Sequence, residues 1–166
     1  MGIKLVKAAD NNADFLAKVC RNAKEIYSEI MSEAFERQAE KFETKGVPEK
    51  YNICLIQKFN KKIGFIGIKK LNKAIIYLVG LYLLSDYQRR GYGSEVIEKI
   101  INNFREKDYE EIILLVHKNA YWAIDFYKKV DFKLVTDNFE MIKEYADGAM
   151  EEFAITSTIL MKKSFE

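Results

Sequence analysis

Histidine and proline each occur once in the 166 residues, cysteine twice and glycine 8 times. One histidine cannot furnish a multi-histidine metal site. Cys20 and Cys54 lie far apart with no Cys-x-x-Cys pair, which excludes a zinc knuckle, so no metal site is expected. Any Ser-His-Asp or Cys-His scheme would have to use His117, because the chain offers no other imidazole. Long apolar runs are also missing, and none approaches the roughly 20 residues that span a bilayer. Met1 to Ala9 alternates Ile3 and Leu5 with Lys4 and Lys7, unlike the apolar centre of a signal peptide. No membrane partner is therefore expected, and two cysteines without an export signal fit a cytoplasmic location. An excess of either charge is lacking too. Lys+Arg number 27 against 25 Asp+Glu, a net +2, which argues against a nucleic-acid partner. Lys61-Lys62, Lys69-Lys70 and Lys162-Lys163 read as solvated strand ends.

What is present is an ordinary globular mixture, 49% hydrophobic and 31% charged. At about 150 residues per domain the length predicts one domain over residues 1–166. Such a chain buries roughly 70% of its unfolded surface. Residues 3–9 read as a first strand, with Asp10 or Asn12 capping the helix that follows. Phe15, Leu16, Val19, Ala23, Ile26, Tyr27 and Ile30 recur at helical spacing, which predicts a helix to about Met31. A more polar helix through Phe35 and Phe42 is stopped by Gly46-Val47-Pro48. Residues 51–59 and 63–71 read as a hairpin. Residues 75–84 form the most apolar stretch, which suits a central strand buried on both faces. Gly80 within it marks a bulge or a close backbone approach.

A glycine loop, Gln88-Arg89-Arg90-Gly91-Tyr92-Gly93-Ser94, leaves that strand and opens a helix over about residues 91–107. Val96, Ile97, Ile100, Ile101 and Phe104 form its apolar stripe. Residues 112–116 form a second continuous apolar strand. Strand, helix and strand together read as a parallel βαβ unit with a right-handed crossover. A further amphipathic helix carries Trp122, Ala123, Phe126, Tyr127 and Val130, followed by a short strand over 132–135. Asp147-Gly148 is a turn signal before a final strand over 153–161, whose apolar character could also serve a homodimer. Residues 137–148 carry no clear pattern.

The loop is where anion chemistry is expected. The first N–H groups of a helix lack intrahelical partners and sit at the positive end of the macrodipole. Gly91 and Gly93 remove side chains so that backbone can approach a phosphate, and Arg89 and Arg90 add charge-assisted contacts. The dinucleotide pattern G-x-G-x-x-G fails because Val96 stands at the third glycine, and no Gly-Lys-Ser/Thr follows to make a P-loop. A helix start with two turn glycines is the alternative at this point.

Residues 88–94 match the Gln/Arg-x-x-Gly-x-Gly/Ala signature of the GNAT superfamily of N-acetyltransferases. Residues 123–132, Ala-Ile-Asp-Phe-Tyr-Lys-Lys-Val-Asp-Phe, resemble its second signature, Ala-x-x-Phe-Tyr-x-x-x-Gly-Phe. The order of elements resembles the family across nearly the whole chain. Asp131 stands where the family has Gly, a position that needs a positive φ, which Asp tolerates. Ala120 stands where the family has Asn, and Asn119, one residue earlier, is the candidate to replace it through a local shift.

The resemblance implies an α/β (α+β) fold: a mixed, mostly antiparallel, twisted sheet with a central parallel βαβ unit and flanking helices. It implies a single N-acetyltransferase domain that moves an acetyl group from acetyl-CoA to a primary amine of a small molecule, amino acid or peptide. Backbone groups of Tyr82, Leu83 and Leu84 would line the pantetheine arm, and an N–H near Leu83 would polarise the thioester carbonyl. Backbone N–H groups of Arg89, Arg90, Gly91, Tyr92, Gly93 and Ser94 would hold the pyrophosphate, with Gln88, Asn119, Ala123 and Phe126 also against the cofactor. Tyr127 would protonate the leaving thiolate, since a phenol of ordinary pKa about 10 is neutral at pH 7. No residue is fixed as the base. His117, at a strand end, would be a base or a substrate contact, and Glu29 and Glu33 could attract a cationic amine. A non-catalytic acyl-CoA-binding module on the same fold is the alternative function.

Overall fold

The computed structural model describes residues 2–165; Met1 and Glu166, the ends of the expected domain, lie outside that range. In chain order the elements are β1 (Lys4–Lys7), α1 (Ala13–Tyr27), α2 (Ser32–Lys45), β2 (Asn52–Lys58), β3 (Lys61–Lys70), β4 (Ile75–Leu83), α3 (Tyr92–Arg105), β5 (Glu111–His117), α4 (Tyr121–Lys129), β6 (Lys133–Thr136), α5 (Phe139–Glu144) and β7 (Thr158–Ser164). The strand order is β1-β2-β3-β4-β5-β7-β6. β4 and β5 run parallel, while β1–β2, β2–β3, β5–β7 and β6–β7 are antiparallel. This is the mixed, mostly antiparallel α/β architecture expected, with the parallel pair flanking α3 in sequence. Among the described residues no helix is long and apolar enough to cross a membrane.

The chain forms two compact units, Met1–Ile68 with Gly80–Val96, and Lys69–Val79 with Ile97–Glu166. In the first, α1 buries Leu16, Ala17, Val19, Cys20 and Ala23, the residues its spacing places on one stripe. They pack with Ala39 and Phe42 of α2 and with Ile53, Leu55 and Phe65 of β2 and β3. Each large apolar side chain buried in this way contributes roughly 1.5–3 kcal/mol. In the second unit Tyr77, Ile113, Leu160, Ile142 and Met150 form the core. β7 is paired on both edges, to β5 and to β6, and Leu160 and Met161 are fully buried. Its apolar residues are accounted for by that internal position.

Several boundaries differ from the sequence reading, each for a local reason. α1 ends at Tyr27 rather than near Met31, because Ser28 turns to φ 52° and its N–H closes the last turn on Lys24 O. Asn12 is the N-cap residue of α1, as expected, but neither its side chain nor that of Asp10 bonds to the first turn. Asn12 Oδ1 accepts from the Ala9 N–H at 2.9 Å, and Asp10 Oδ1 accepts from the Val47 N–H at 3.0 Å. The final strand begins at Thr158, not at 153, since Phe153 and Ala154 pack into the core from a turn segment. The unpatterned stretch 137–148 contains α5, capped by Asn138 Oδ1 accepting from the Met141 N–H at 3.0 Å.

α1 and α2 are clamped by charge. Arg21 meets Glu43 in a two-pronged contact, Nη1–Oε2 2.6 Å and Nη2–Oε1 2.8 Å, and shares Glu36 with Lys24. The Lys24 ammonium and the Arg21 guanidinium hold the Glu36 carboxyl below the ordinary range, and Arg21 does the same to Glu43. A lowered carboxylate pKa stabilises the fold above the ordinary value of about 4.3, and the effect is lost as pH falls through the lowered value. Glu43→Gln is therefore expected to lower the melting temperature at pH 7. Below about pH 4 its deficit against the parent chain should shrink. A deficit that stays constant down to pH 2 would remove the ionic origin.

Candidate active site

β4 hands the chain to the glycine loop through a closely fitted connector. The Leu84 N–H donates to Ile63 O at 2.8 Å. Successive strand N–H groups point to opposite edges, so the Leu83 N–H lies on the edge turned away from β3. Two glycines make room. A Cβ on Gly64 would sit 2.1 Å from Tyr82 O and 2.9 Å from Leu83 Cα, and one on Gly80 would strike the Tyr82 ring at 2.4 Å. At Gly80 the neighbour is a side chain, the Tyr82 ring, and not the backbone approach expected there; the backbone approach falls at Gly64. The Tyr82 ring itself is held edge-on to Phe35 at 5.4 Å and beside Phe65 at 5.5 Å.

Residues 85–87 form one short helical turn, and two side chains fix it. Asn22 of α1 accepts through Oδ1 from the Ser85 N–H at 2.9 Å and from the Ser85 hydroxyl at 3.1 Å. Gln88 Nε2 donates to Leu83 O at 2.9 Å and closes the end of β4. Beyond it Arg89 adopts φ 60° and Gly91 φ 84°. Nothing lies within 4 Å of where a Gly91 side chain would begin, so the turn is open in front. α3 starts at Tyr92, and the Glu95 N–H donates back to Gly91 O at 3.1 Å. The N–H groups from Arg89 to Ser94 precede that first closing bond. Alternating backbone signs of this kind make a concave row of donors, a nest for an anion. Arg89 and Arg90 are exposed beside it. Of the two motif glycines only Gly91 has a positive φ, and Gly93 lies inside the first turn of α3.

The residues from Tyr82 to Ser94 that the sequence singled out therefore stand on one continuous connector. Tyr127, Ala123, Phe126 and Asn119 belong to the other unit. Tyr127 is buried on α4, its ring against Phe126 at 5.1 Å and Phe132 at 5.4 Å. Its carbonyl accepts from the Phe132 N–H at 2.9 Å. Asp131 has φ 72°, the positive value its position was expected to need, and Lys163 Nζ braces the turn by donating to Val130 O at 3.1 Å. Asn119 is exposed in the turn between β5 and α4, and its N–H donates to His117 Nδ1 at 3.1 Å. Ala120 is fully buried, and its carbonyl accepts from the Ala123 and Ile124 N–H groups that start α4. Glu29 and Glu33 are exposed, and Glu33 reaches Arg37 only loosely, at 3.8 Å.

Sequence reasoning missed Asn22 and Gly64. Both had a faint signal, since Asn is a poor residue mid-helix and Gly a poor one mid-strand. Neither announces a partner so far away in the chain. Among the described residues no group of His, Cys, Asp and Glu could hold a metal ion, and both cysteines are free. Burial pushes the Cys20 thiol up to about 12, so it is an inert core residue.

Comparison with known proteins gives this geometry a family. The chain is 42% identical over 66 residues to a probable N-acetyltransferase, san, of Drosophila melanogaster, covering 39% of this chain and 35% of that protein. It is 34% identical over 90 residues to an N-alpha-acetyltransferase of Saccharolobus solfataricus, covering 51% of each. The matched stretches thus span only about a third and a half of those relatives. Among solved structures, the PaiA N-acetyltransferase of Thermoplasma acidophilum, in complex with coenzyme A, superposes with a TM-score of 0.77 at 22% identity over 99% of both chains. An acetyltransferase of Thermus thermophilus gives 0.74 at 15% identity, covering 99% of this chain and 97% of that one. The likeness to these structures is one of fold. The acetyltransferase (GNAT) family profile matches residues 18–132, and with more than half of the chain inside that match, the protein belongs to the GNAT acetyltransferases.

Proposed function

We propose that this chain, acting as a single domain over residues 1–166, is an acetyl-CoA-dependent N-acetyltransferase of the cytoplasm. Its acceptor is a primary amine of a small molecule, an amino acid or a peptide. The observation that carries the reading is the connector 83–94, with Arg89 and Gly91 at positive φ and a row of N–H groups before α3. That row fits a pyrophosphate, and the open space in front of Gly91 fits its approach. Acetyl-CoA supplies an acetyl group already activated as a thioester, for direct attack by the amine.

The chain's own residues position and stabilise. Arg89 to Ser94 present N–H groups and Arg side chains to the pyrophosphate. The backbone of Tyr82, Leu83 and Leu84 lies along the pantetheine arm, and the Leu83 N–H donates to the carbonyl oxygen on which negative charge grows. One such donor is worth about 2.7–4 kcal/mol in other acyl-transfer enzymes. Tyr127 Oη gives its proton to the departing sulfur. Asn119, Ala123 and Phe126 border the same ligand. Incubating the protein with acetyl-CoA and a mixture of amines, amino acids and peptides, then reading by mass spectrometry, should show products heavier by one acetyl group and matching CoA release. Folded protein that acetylates none of them would leave the acyl-CoA-binding module as the better reading.

A further inference from the structure

We propose that His117 is a hydrogen-bond donor to the acceptor through Nε2–H, and not the base that removes the amine's proton. This rests on the transferase reading above. It narrows the acceptor to an amine with a carbonyl or carboxylate oxygen close to the nitrogen, as in an amino acid or a peptide N-terminus.

Placement comes first. β4 and β5 are the parallel pair, and ligands of sheets with parallel strands gather beyond the carboxyl ends of those strands. The β4–β5 ladder ends at Leu78–Leu114, yet β5 continues to His117, paired there to Thr158 of β7. Side chains alternate along a strand, so His117 continues the face of Ile113 and Leu115. That face is apolar, because Ile113 and Leu115 pack with Tyr77, Val79, Leu160 and Phe153. His117 is half-buried at its end. It is a polar group closing an apolar wall, where orientation is set by a few placed donors and acceptors.

The ring's protonation pattern follows from one bond. The Asn119 N–H donates to His117 Nδ1 at 3.1 Å. A nitrogen that accepts a hydrogen bond presents its lone pair, so the proton of the neutral ring resides on Nε2. The backbone around the ring is fixed on both sides, by Ala120 N–H on His117 O at 2.9 Å and Lys118 N–H on Ser157 O at 2.9 Å. The lone pair a base would need is turned back into the chain's own turn, and what faces outward is a donor. With the amine bound beyond the carboxyl end of β5, a donor there favours a substrate with an acceptor oxygen near its nitrogen. A simple alkylamine has none.

The chain has one histidine, so its ring can be read without assignment. Long-range ¹⁵N–¹H correlation spectra of the full, histidine-labelled protein should show neutral His117 protonated on Nε2. Protonation on Nδ1 would overturn the proposal, whatever the enzyme does. Kinetics supply the second readout, with an amino-acid amide and an alkylamine of matched length. His117→Leu should raise KM for the amide about 2- to 10-fold, the loss of one neutral hydrogen bond, and leave the alkylamine unchanged. His117→Gln, which keeps a donor, should restore most of that loss. A fall in kcat of about 10²- to 10⁴-fold in both variants and with both amines would mark a base and sink the idea. Failure of the parent chain to acetylate either amine, with the Nε2 tautomer present, would refute the transferase reading and the acceptor assignment, leaving the ring geometry standing.

Discussion

Tyr127→Phe is expected to lower kcat by about 10²- to 10⁴-fold, the usual worth of a positioned general acid, with CoA affinity nearly intact. The substitution is close to a single-atom change. The phenyl ring keeps its contacts with Phe126 and Phe132, and the backbone bond from Phe132 to Tyr127 O is untouched. The ring packing should therefore be kept, and the loss expected is proton delivery to the departing sulfur. An equally large fall in CoA affinity would assign the hydroxyl to binding. Unchanged turnover in a folded variant would remove Tyr127 from catalysis and return it to the core as an ordinary aromatic.

The second large effect is expected at Gly64, a position with no chemistry of its own. A methyl group there would stand 2.1 Å from Tyr82 O and 2.9 Å from Leu83 Cα, both backbone atoms that cannot rotate aside. Gly64→Ala must push β4 away from β3 or distort both. The cost expected for overpacking is about 1–3 kcal/mol, or about 2–4 °C of melting temperature per kcal/mol in a chain of this size. Because the displaced backbone is Tyr82–Leu83, KM for acetyl-CoA should rise in the same variant. Its neighbour Ile63→Val trims the core without touching that backbone and serves as the comparison. A Gly64→Ala protein with parental melting temperature and parental KM would contradict the close approach.

These two residues mark the boundary of what the sequence made legible. The helix that carries Tyr127 is legible because its apolar residues recur locally, with Phe126 and Phe132 on the same short stretch. The parallel unit was readable because both strands are nearly continuous apolar runs separated by one amphipathic helix. The loop 88–94 was readable because its glycines and arginines are adjacent and scarce elsewhere. Gly64 and Asn22 were opaque because their meaning lies in Tyr82 and Ser85, which only the folded chain brings near. The end of α1 is hidden in the sequence for a different reason. Ser28 adopts φ 52° with no glycine or proline to announce it, and apolar Ile30 prolongs the helical pattern past the true stop. The start of the last strand is hidden because Phe153 and Ile155 mimic strand alternation, although Phe153 packs from a turn and Ile155 is exposed.

The Gln88 side chain on Leu83 O and the Asn22 side chain on Ser85 have a thermodynamic consequence for ligand capture. A free connector would have to be immobilised when an anion arrives, and the entropy lost would be subtracted from affinity. Here those two side chains tie the entry of the connector during folding, and its exit is held by the first turn of α3, where the Glu95 N–H donates to Gly91 O. The donor row is preorganised, and the loss of freedom is charged to the folding equilibrium instead of the binding one. CoA should then associate with little change in backbone order from Leu83 to Tyr92: the bonded amides of Leu84, Ser85, Tyr87 and Gln88 should already exchange slowly in the free protein, and the unpartnered ones from Arg89 to Tyr92 should slow only when CoA binds.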